Sequence, residues 1–126
     1  MGRIRISVYL GDAGHKLGPG KIALLEAIEK EGSISAAARS MGMAYRHAWE
    51  MVDELNHCFD TPAVEVSAGG RAGGGASLTP RGRDVVKRFR AIEGSVDRAA
   101  RSQLAALEAH LDPREPTRRH SRSGGG

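Results

Sequence analysis

Hydrophobic residues along this chain follow two periods, and the period separates the predicted strands from the predicted helices. Between residues 3 and 10, Ile4, Ile6 and Val8 alternate with basic or polar residues, which predicts a half-buried strand. Residues 11–20 are rich in glycine and predict a turn, with Pro19 placed in the first turn of a helix. The chain is therefore expected to open with one strand and to enter its first helix near Pro19.

Three predicted helices follow in close succession. Ile22, Leu25 and Ile28 form the apolar stripe of the first, which ends at Gly32. Ser33 is the candidate N-cap of a short Ala-rich helix over residues 35–40, which Gly42 ends. A third helix is predicted from about residue 44 to residue 58, and its apolar residues share one face with spacings of four, three and four: Ala48, Val52, Leu55 and Phe59.

A hairpin and a long helix complete the predicted order. Two short strands, 63–67 and 76–78, flank residues 68–75, of which five are glycine. Thr79 and Pro80 are typical of an N-cap followed by a first-turn proline, and they begin a helix predicted over residues 80–111. Its apolar stripe comprises Val85, Phe89, Ile92, Val96, Ala100, Leu104, Leu107 and Leu111, and Gly94 marks a point where it could bend.

The length of this last helix bears on assembly. A helix over residues 80–111 is about 45 Å long at 1.5 Å per residue, which is more than one small domain can cover. Its distal apolar residues are therefore predicted to contact a second subunit, and this dimer interface comprises Val96, Ala100, Leu104, Leu107 and Leu111. Residues 112–126 are rich in Pro, Arg, Ser and Gly and are expected to form a disordered basic tail.

These elements predict a mainly α fold with a small β-wing, that is, a winged helix-turn-helix with a long C-terminal dimerisation helix. The DNA-binding domain is expected over residues 1–79, the dimerisation helix over 80–111 and the tail over 112–126. One domain is what 126 residues with 40% hydrophobic content allow. Aromatic residues make up only 4%, so the core is expected to be aliphatic.

Charge and cysteine content narrow the functional classes. The net charge is +4, and residues 66–126 carry 12 Lys/Arg against 6 Asp/Glu, which favours a polyanionic partner at that end. Cys58 is the single cysteine, so it forms no internal disulfide, and the histidines lack metal-ligand spacing. No apolar run is long enough for a membrane span or a signal peptide, so a cytoplasmic protein is expected. Neither a metal nor a cofactor is expected.

The strongest local signal lies between Ser33 and Trp49. Two helices cross tightly only where the facing residue is small and the turn can take a left-handed backbone conformation, and Ala38 and Gly42, four residues apart, meet both needs. An ordinary helical hairpin is the alternative, since alanine and glycine are common. The functional helix-turn-helix is the favoured interpretation.

The third helix supplies the candidate DNA contacts. At 100° per residue, and with Ala48 at the centre of the buried face, Arg46, Glu50 and Asp53 point away from the interior. Arg46 suits a guanine edge, and Glu50 can accept a hydrogen bond from cytosine. Tyr45 and His47 are candidates for phosphate or base contact. Asp53 is interpreted as part of a solvated face, because acids near phosphates repel.

The glycine-rich hairpin supplies a second group of candidates. A nucleotide-binding loop is disfavoured there, because no Gly-Lys-Ser/Thr follows. As a wing along the DNA backbone, it places Arg71 in the minor groove or against a phosphate. Arg81 and Arg83, at the start of the next helix, are predicted to join it.

Several motifs occur in an order that resembles one known family. The segments are Gly18-Pro-Gly-Lys-Ile-Ala-Leu-Leu-Glu-Ala-Ile, Gly32-Ser-Ile-Ser-Ala-Ala-Ala, Met41-Gly-Met-Ala-Tyr-Arg-His-Ala-Trp, Val52-Asp-Glu-Leu-Asn and Leu78-Thr-Pro-Arg-Gly. Over roughly residues 3–100 they are similar to the N-terminal domain of ModE-type molybdenum-dependent transcriptional regulators.

The resemblance implies a LysR-like winged helix-turn-helix that binds a palindromic operator as a homodimer. Tyr45, Arg46 and Arg71 match DNA-contacting parts of the motif, whereas Ala44 replaces a serine that is usual there and loses one possible contact. Full-length members continue into a molybdate-binding domain, which this chain is expected to lack. The effector is left open.

Two functions remain after these observations. The first is a sequence-specific regulator of transcription, with molybdate transport or molybdoenzyme genes as candidate targets. The second is a protein-interaction module that uses the long helix and retains only residual DNA binding. An enzyme is disfavoured, because the sequence shows no grouping of nucleophile, base and orienting residue.

Overall fold

Four helices and two antiparallel hairpins make up the part of the chain, residues 2–67 and 74–114, that the computed structural model describes. The elements in chain order are β1 (Val8–Leu10), β2 (His15–Leu17), α1 (Pro19–Glu31), α2 (Ile34–Met41), α3 (Tyr45–Cys58), β3 (Val64–Ser67), β4 (Gly75–Leu78) and α4 (Pro80–Glu108). This order confirms the predicted mainly α fold with a β-wing and a long C-terminal helix.

The predicted helix boundaries have clear local causes. Pro19 occupies the first turn of α1, and Gly32 ends that helix with φ +84°. Ser33 caps α2, because its hydroxyl accepts a hydrogen bond from the Ala36 N–H at 3.0 Å. Thr79 caps α4 in the same way by accepting from the Gly82 N–H at 3.0 Å. The capping residues recognised in the sequence therefore predicted these helix ends to within a residue or two.

The N-terminal region differs from its predicted form. The strand is confined to β1, and the segment expected to be only a turn contains β2, which pairs with β1 so that Val8 is opposite Leu17. Gly11 and Gly14 both have left-handed backbone angles, φ +68° and +70°, and the Gly14 N–H donates to the Gly11 carbonyl at 3.1 Å. This tight reversal brings the second strand back, and residues 2–7 continue the alternation of half-buried and exposed side chains.

The core lies between the first three helices, the two hairpins and the start of α4. It is aliphatic apart from Phe89, in agreement with the low aromatic content. All four helices contribute fully buried side chains: Ile22, Leu24, Leu25, Ile28, Ala37, Ala48, Val52 and Phe89. No polar or charged side chain is buried among the described residues.

Helix α4 leaves the core about one third of the way along its length. Gly82, Val85 and Phe89 are its buried residues. Beyond them Val96 is 36% and Leu107 67% exposed, whereas Ala100 and Leu104 are half-buried. Leu111, which follows the end of the helix, is 57% exposed. The helix is continuous through Gly94 and ends at Glu108, three residues before the predicted end. None of the described helices combines the length and apolar character that a membrane span needs.

Candidate nucleic-acid interface

Helices α2 and α3 meet in the geometry that the sequence predicted. Gly42 takes the left-handed conformation, φ +66° and ψ 31°, directly after α2. The Met43 N–H donates to the Ala38 carbonyl at 3.0 Å, which closes the turn. Ala38 is only 2% exposed, because a small side chain lets the two helices approach. The turn orients α3 so that one face packs on the core and the other faces outward.

The outward face of α3 carries the predicted DNA-reading residues. The side chains of Arg46, Glu50 and Asp53 are 88%, 65% and 71% exposed, as the helical wheel predicted from the buried Ala48. His47 joins them at 60%. Arg46, His47 and Glu50 therefore project from the first two turns of α3, where a helix entering a major groove presents side chains to base edges.

The Glu50 carboxylate lies between the side chains of Arg46 and His47. Its carboxylate oxygens lie 3.9 Å from Arg46 Nε and 4.0 Å from His47 Nδ1. Exposed pairs at such distances are weak and open readily. The side chains of Arg46 and Glu50 can therefore separate readily and contact other groups.

Tyr45 and Trp49 form an edge-on aromatic pair at the start of α3. Their ring centroids are 6.4 Å apart with an interplanar angle of 82°. The indole Nε1–H of Trp49 donates to the Tyr45 hydroxyl oxygen. Trp49 also packs against the core, whereas Tyr45 is 53% exposed. Because the Tyr45 oxygen accepts from the indole, its own O–H is left as a donor for a phosphate.

Ala44 occupies the N-cap position of α3 and offers no side-chain acceptor. Its carbonyl accepts from the Ala48 N–H at 3.1 Å, but no side chain caps the first turn. The first N–H groups of a helix need a partner. An incoming phosphate is one such partner, since the helix dipole also favours an anion there.

The wing is the β3–β4 hairpin, and its base is anchored to the rest of the domain. Val64 is opposite Leu78 and Ser67 is opposite Gly75 in the antiparallel register. The Ala76 N–H donates to the Gly32 carbonyl at 2.8 Å, which ties β4 to the end of α1. The hairpin therefore extends from the core in a defined direction.

Asn56, on α3, fixes the other strand of the wing and was not recognised from the sequence as functional. Its side-chain oxygen accepts from the Ala63 and Val64 N–H groups, both at 2.9 Å, and its amide donates to the Val64 carbonyl at 3.2 Å. A polar residue beside the buried stripe of an amphipathic helix was the available signal. The same helix that carries Arg46 thus holds the base of the wing.

The predicted arginines of the wing region differ in their surroundings. Arg81 makes a two-pronged hydrogen bond to Asp60, at 3.0 and 3.2 Å, and this contact lowers the pKa of that carboxyl group. Arg83 donates to the Leu78 carbonyl at 3.0 Å and lies 3.8 Å from Glu29. Both are positioned at the base of the wing with intramolecular partners, so phosphate contact by either remains a prediction. Arg71 lies outside the described residues.

The described residues were also searched for a metal site and for a reactive cysteine. Residues 2–67 and 74–114 contain no group of three or more His, Cys, Asp or Glu side chains placed to hold a metal ion. Cys58 is half-buried, and burial raises the pKa of its thiol against the opposing charge of Lys21. The prominent arrangement is therefore the exposed α3 face with the wing beside it.

A helix-turn-helix with an anchored wing defines a class of bacterial regulatory proteins, and the chain belongs to it. Residues 20–83, about half of the chain, match the family described as bacterial regulatory helix-turn-helix protein, lysR family. The match begins within α1 and ends within the first turn of α4, so it covers the helix-turn-helix and the wing.

Similar proteins include regulators and molybdenum proteins of other bacteria. The chain is 42% identical to the molybdenum-pterin-binding protein MopB of Rhodobacter capsulatus over 93% of its own length and 43% of that protein. It is 46% identical to the molybdenum transport protein ModE of Azotobacter vinelandii, over 65% of the chain and 30% of that protein. The DNA-binding transcriptional dual regulator ModE of Escherichia coli is 38% identical over 56% of the chain and 27% of that protein.

These similarities confirm the predicted resemblance to ModE-type regulators. The chain spans less than half the length of these relatives.

Loss of the Asn56 contacts is expected to loosen the wing. In Asn56→Leu, the Ala63 and Val64 N–H groups lose their acceptor, so we expect the free energy of unfolding to fall by about 1–3 kcal/mol. Chemical denaturation measures this change, and amide exchange should show faster exchange in β3. Asn56→Asp keeps an acceptor oxygen and should lose less, while His57→Ala, one residue along, is the exposed control. An Asn56→Leu protein with unchanged exchange in β3 would contradict the anchoring role.

Proposed function

We propose that this protein is a DNA-binding transcriptional regulator that reads base sequence with α3 and contacts the DNA backbone with the wing. The observation that carries the proposal is the position of Arg46, 88% exposed in the first turn of the second helix of the helix-turn-helix. Arginine recognises guanine through two parallel hydrogen bonds, which gives base specificity. Membership of the lysR family of regulatory proteins supports the same function.

The regulator is further proposed to act as a homodimer on an inverted repeat. Beyond Phe89, α4 carries an apolar stripe that the domain itself leaves partly uncovered, with Ile92 43%, Val96 36% and Leu107 67% exposed. Contiguous exposed apolar surface of this kind marks a protein interface. A two-fold pair would present two α3 helices to successive major grooves, about one helical turn apart, and so read a palindromic operator.

Genes of molybdate transport or of molybdoenzymes are the proposed targets. This part of the proposal is supported by the names of similar proteins, which include a molybdenum transport protein and a molybdenum-pterin-binding protein. Mapping the occupancy of the chain across its genome tests it. Sharp peaks over inverted repeats beside such genes are expected, whereas diffuse or absent occupancy would instead favour a protein-interaction module.

Substitution of Arg46 tests base recognition directly. We expect Arg46→Ala to weaken binding to the operator by roughly 1–3 kcal/mol while leaving binding to unrelated DNA nearly unchanged, because a base contact is lost. Fluorescence anisotropy at fixed salt on both DNAs measures the difference. Salt must be fixed, since phosphate contacts make every affinity depend on it.

Arg98→Ala is the matched control, because it removes the same charge from an exposed position on α4. Its operator affinity should equal that of the unchanged chain within a factor of about two. Equal losses on operator and unrelated DNA for Arg46→Ala would show that Arg46 contacts phosphate and not a base.

A further inference from the structure

Lys21, in the first turn of α1, joins three elements of the domain through its ammonium group. Its Nζ donates a hydrogen bond to the Lys16 carbonyl oxygen of β2 at 2.9 Å. The same nitrogen lies 2.9 Å from a carboxylate oxygen of Glu54 on α3. The ion pairs of Glu50 and Asp53, by contrast, stay within α3. Lys21 therefore ties α3 to α1 and to the N-terminal hairpin.

The side chain of Lys21 has little access to water, whereas the Glu54 carboxylate is solvated. The two side chains are 20% and 63% exposed. The buried residues Leu17 and Leu55 line the same cavity as this pair. A cation that is largely removed from water needs fixed partners to offset its lost hydration. The contact is therefore more tightly defined than an ion pair between two fully exposed side chains.

Asn56 gives the same part of α3 a second fixed point. Its side-chain oxygen accepts from the Ala63 and Val64 N–H groups at the base of the wing. Glu54 and Asn56 are two residues apart, so their side chains leave a helix of 3.6 residues per turn about 160° apart. The two contacts therefore hold the C-terminal half of α3 from nearly opposite sides, one toward α1 and β2 and the other toward the wing.

The side chain proposed to recognise a base lies at the other end of the helix. Arg46 precedes Glu54 by eight residues, which is about 12 Å along the axis at 1.5 Å per residue, so a tilt of about 5° there would move Arg46 by about 1 Å. Hydrogen bonds to a base hold only over donor–acceptor distances of about 2.7–3.2 Å. A displacement of that size would therefore break at least one of two parallel bonds to guanine.

We propose that Lys21 is a positioning residue for DNA recognition, because its contacts with Glu54 and the Lys16 carbonyl set the tilt at which α3 presents Arg46 to a base. The inference rests on the proposed recognition of bases by α3. It adds a residue that contacts no DNA and on which sequence specificity nevertheless depends.

A change of net charge is the effect that can imitate a positioning role. Lys21→Met removes a positive charge and keeps most of the aliphatic chain, whereas Glu54→Gln removes a negative charge and keeps the shape. If only charge mattered, the first would weaken binding to all DNA and the second would strengthen it. A positioning role predicts the same direction for both, because either substitution breaks the same contact.

The affinity for the operator divided by the affinity for unrelated DNA separates these effects. The operator probe is a duplex that carries the inverted repeat found at the strongest peak of genomic occupancy. We expect Lys21→Met and Glu54→Gln each to lower the ratio by about 5- to 10-fold, which is part of the value of one arginine–guanine contact. The two together should lower it no further, since the pair is already broken. Lys21→Arg keeps a cation for Glu54 and should restore most of the ratio.

A double-mutant cycle with Arg46 shows whether Lys21 acts through that side chain. In the Arg46→Ala chain, Lys21→Met should change the ratio by less than about two-fold, because the contact that it positions is already absent. Partial unfolding lowers the apparent affinity for both DNAs equally, so a loss of stability alone leaves the ratio unchanged. An equal fall of the ratio with and without Arg46 would contradict the proposed route.

Two exposed positions supply matched controls. Lys87→Met on α4 and Asp12→Asn in the β1–β2 turn make the same changes of charge away from the contact. Each should leave the ratio within a factor of about two of the unsubstituted chain, measured by anisotropy at the same salt.

The unsubstituted chain separates the two levels of inference. If it binds the inverted repeat no more tightly than unrelated DNA, the proposed recognition of sequence by α3 is wrong, and the role of Lys21 falls with it. If it prefers the repeat but the ratio is unchanged in Lys21→Met and Glu54→Gln, or moves in opposite directions, base recognition stands and the positioning role is wrong. A fall in both variants, with recovery in Lys21→Arg, supports the positioning role.

Discussion

Leu104→Asp combined with Leu107→Asp is expected to convert the protein to monomers and to weaken binding to an inverted repeat by roughly 100-fold or more. Both residues lie on the proposed interface, and Leu107 is 67% exposed in the single chain. A carboxylate buried there without a partner is strongly unfavourable. The loss in DNA affinity follows because two linked DNA-binding domains bind an inverted repeat far more tightly than one domain does. Sedimentation velocity and anisotropy on full and half sites measure both effects.

The same substitutions should leave the DNA-binding domain folded, because neither leucine belongs to the buried core. Binding to a single half-site should therefore change little. Ser102→Asp combined with Ala105→Asp adds the same charges on the opposite, exposed face of α4 and is the matched control. Dimers that persist in the leucine variant, at concentrations where the control is dimeric, would exclude this stripe as the interface.

Gly82→Ala is expected to destabilise the fold by about 2–3 kcal/mol. A Cβ at Gly82 would lie 2.2 Å from the Ala63 carbonyl oxygen, so the backbone at the base of the wing must move. That oxygen also accepts from the Thr79 N–H at 3.0 Å, and the shift would disturb the cap of α4. Overpacking of this kind exceeds the gain of about 1 kcal/mol that alanine brings to a helix. Thermal unfolding at one fixed protein concentration should show a midpoint lower by about 10–20 °C.

Gly94→Ala provides the control within the same helix. A Cβ at Gly94 would meet only the end of the flexible Arg98 side chain, at 3.4 Å. We expect it to stabilise the protein by about 0.5–1 kcal/mol, because glycine inside a helix costs conformational entropy. If both variants changed stability by the same amount, the close approach at Gly82 would not limit the fold.

Local signals were enough for most of the helical framework. Pro19, Ser33, Gly42 and Thr79 each act through backbone angles or hydrogen bonds within a few residues of themselves, and the structure has the helix ends there. The outward direction of Arg46 followed in the same way from the helical period and the buried Ala48. Such features depend on neighbours in the sequence, so the sequence is sufficient to predict them.

Features made by distant residues required the tertiary structure. Asn56 bonds to Ala63 and Val64 across a loop, and a helical wheel does not show such a contact. The ion pair between Glu26 and Arg90, with oxygen to nitrogen distances of 2.7 and 3.0 Å, joins α1 to α4 across 64 residues. Neither pairing has a local signature, because many exposed acids and amides occupy equivalent positions along these helices.

The N-terminal hairpin shows the same division. The alternation of Ile4, Ile6 and Val8 was visible in the sequence, but the pairing of β1 with His15–Leu17 was not, since three residues are too few for a period. An apolar groove beside it exists only because this hairpin, the end of α3 and α4 meet.

The sequence by itself determined the helices, their caps and the outward face of α3, because those depend on short-range geometry. The tertiary structure decided how the wing is anchored and where an apolar surface is left open, because both depend on which distant segments pack together.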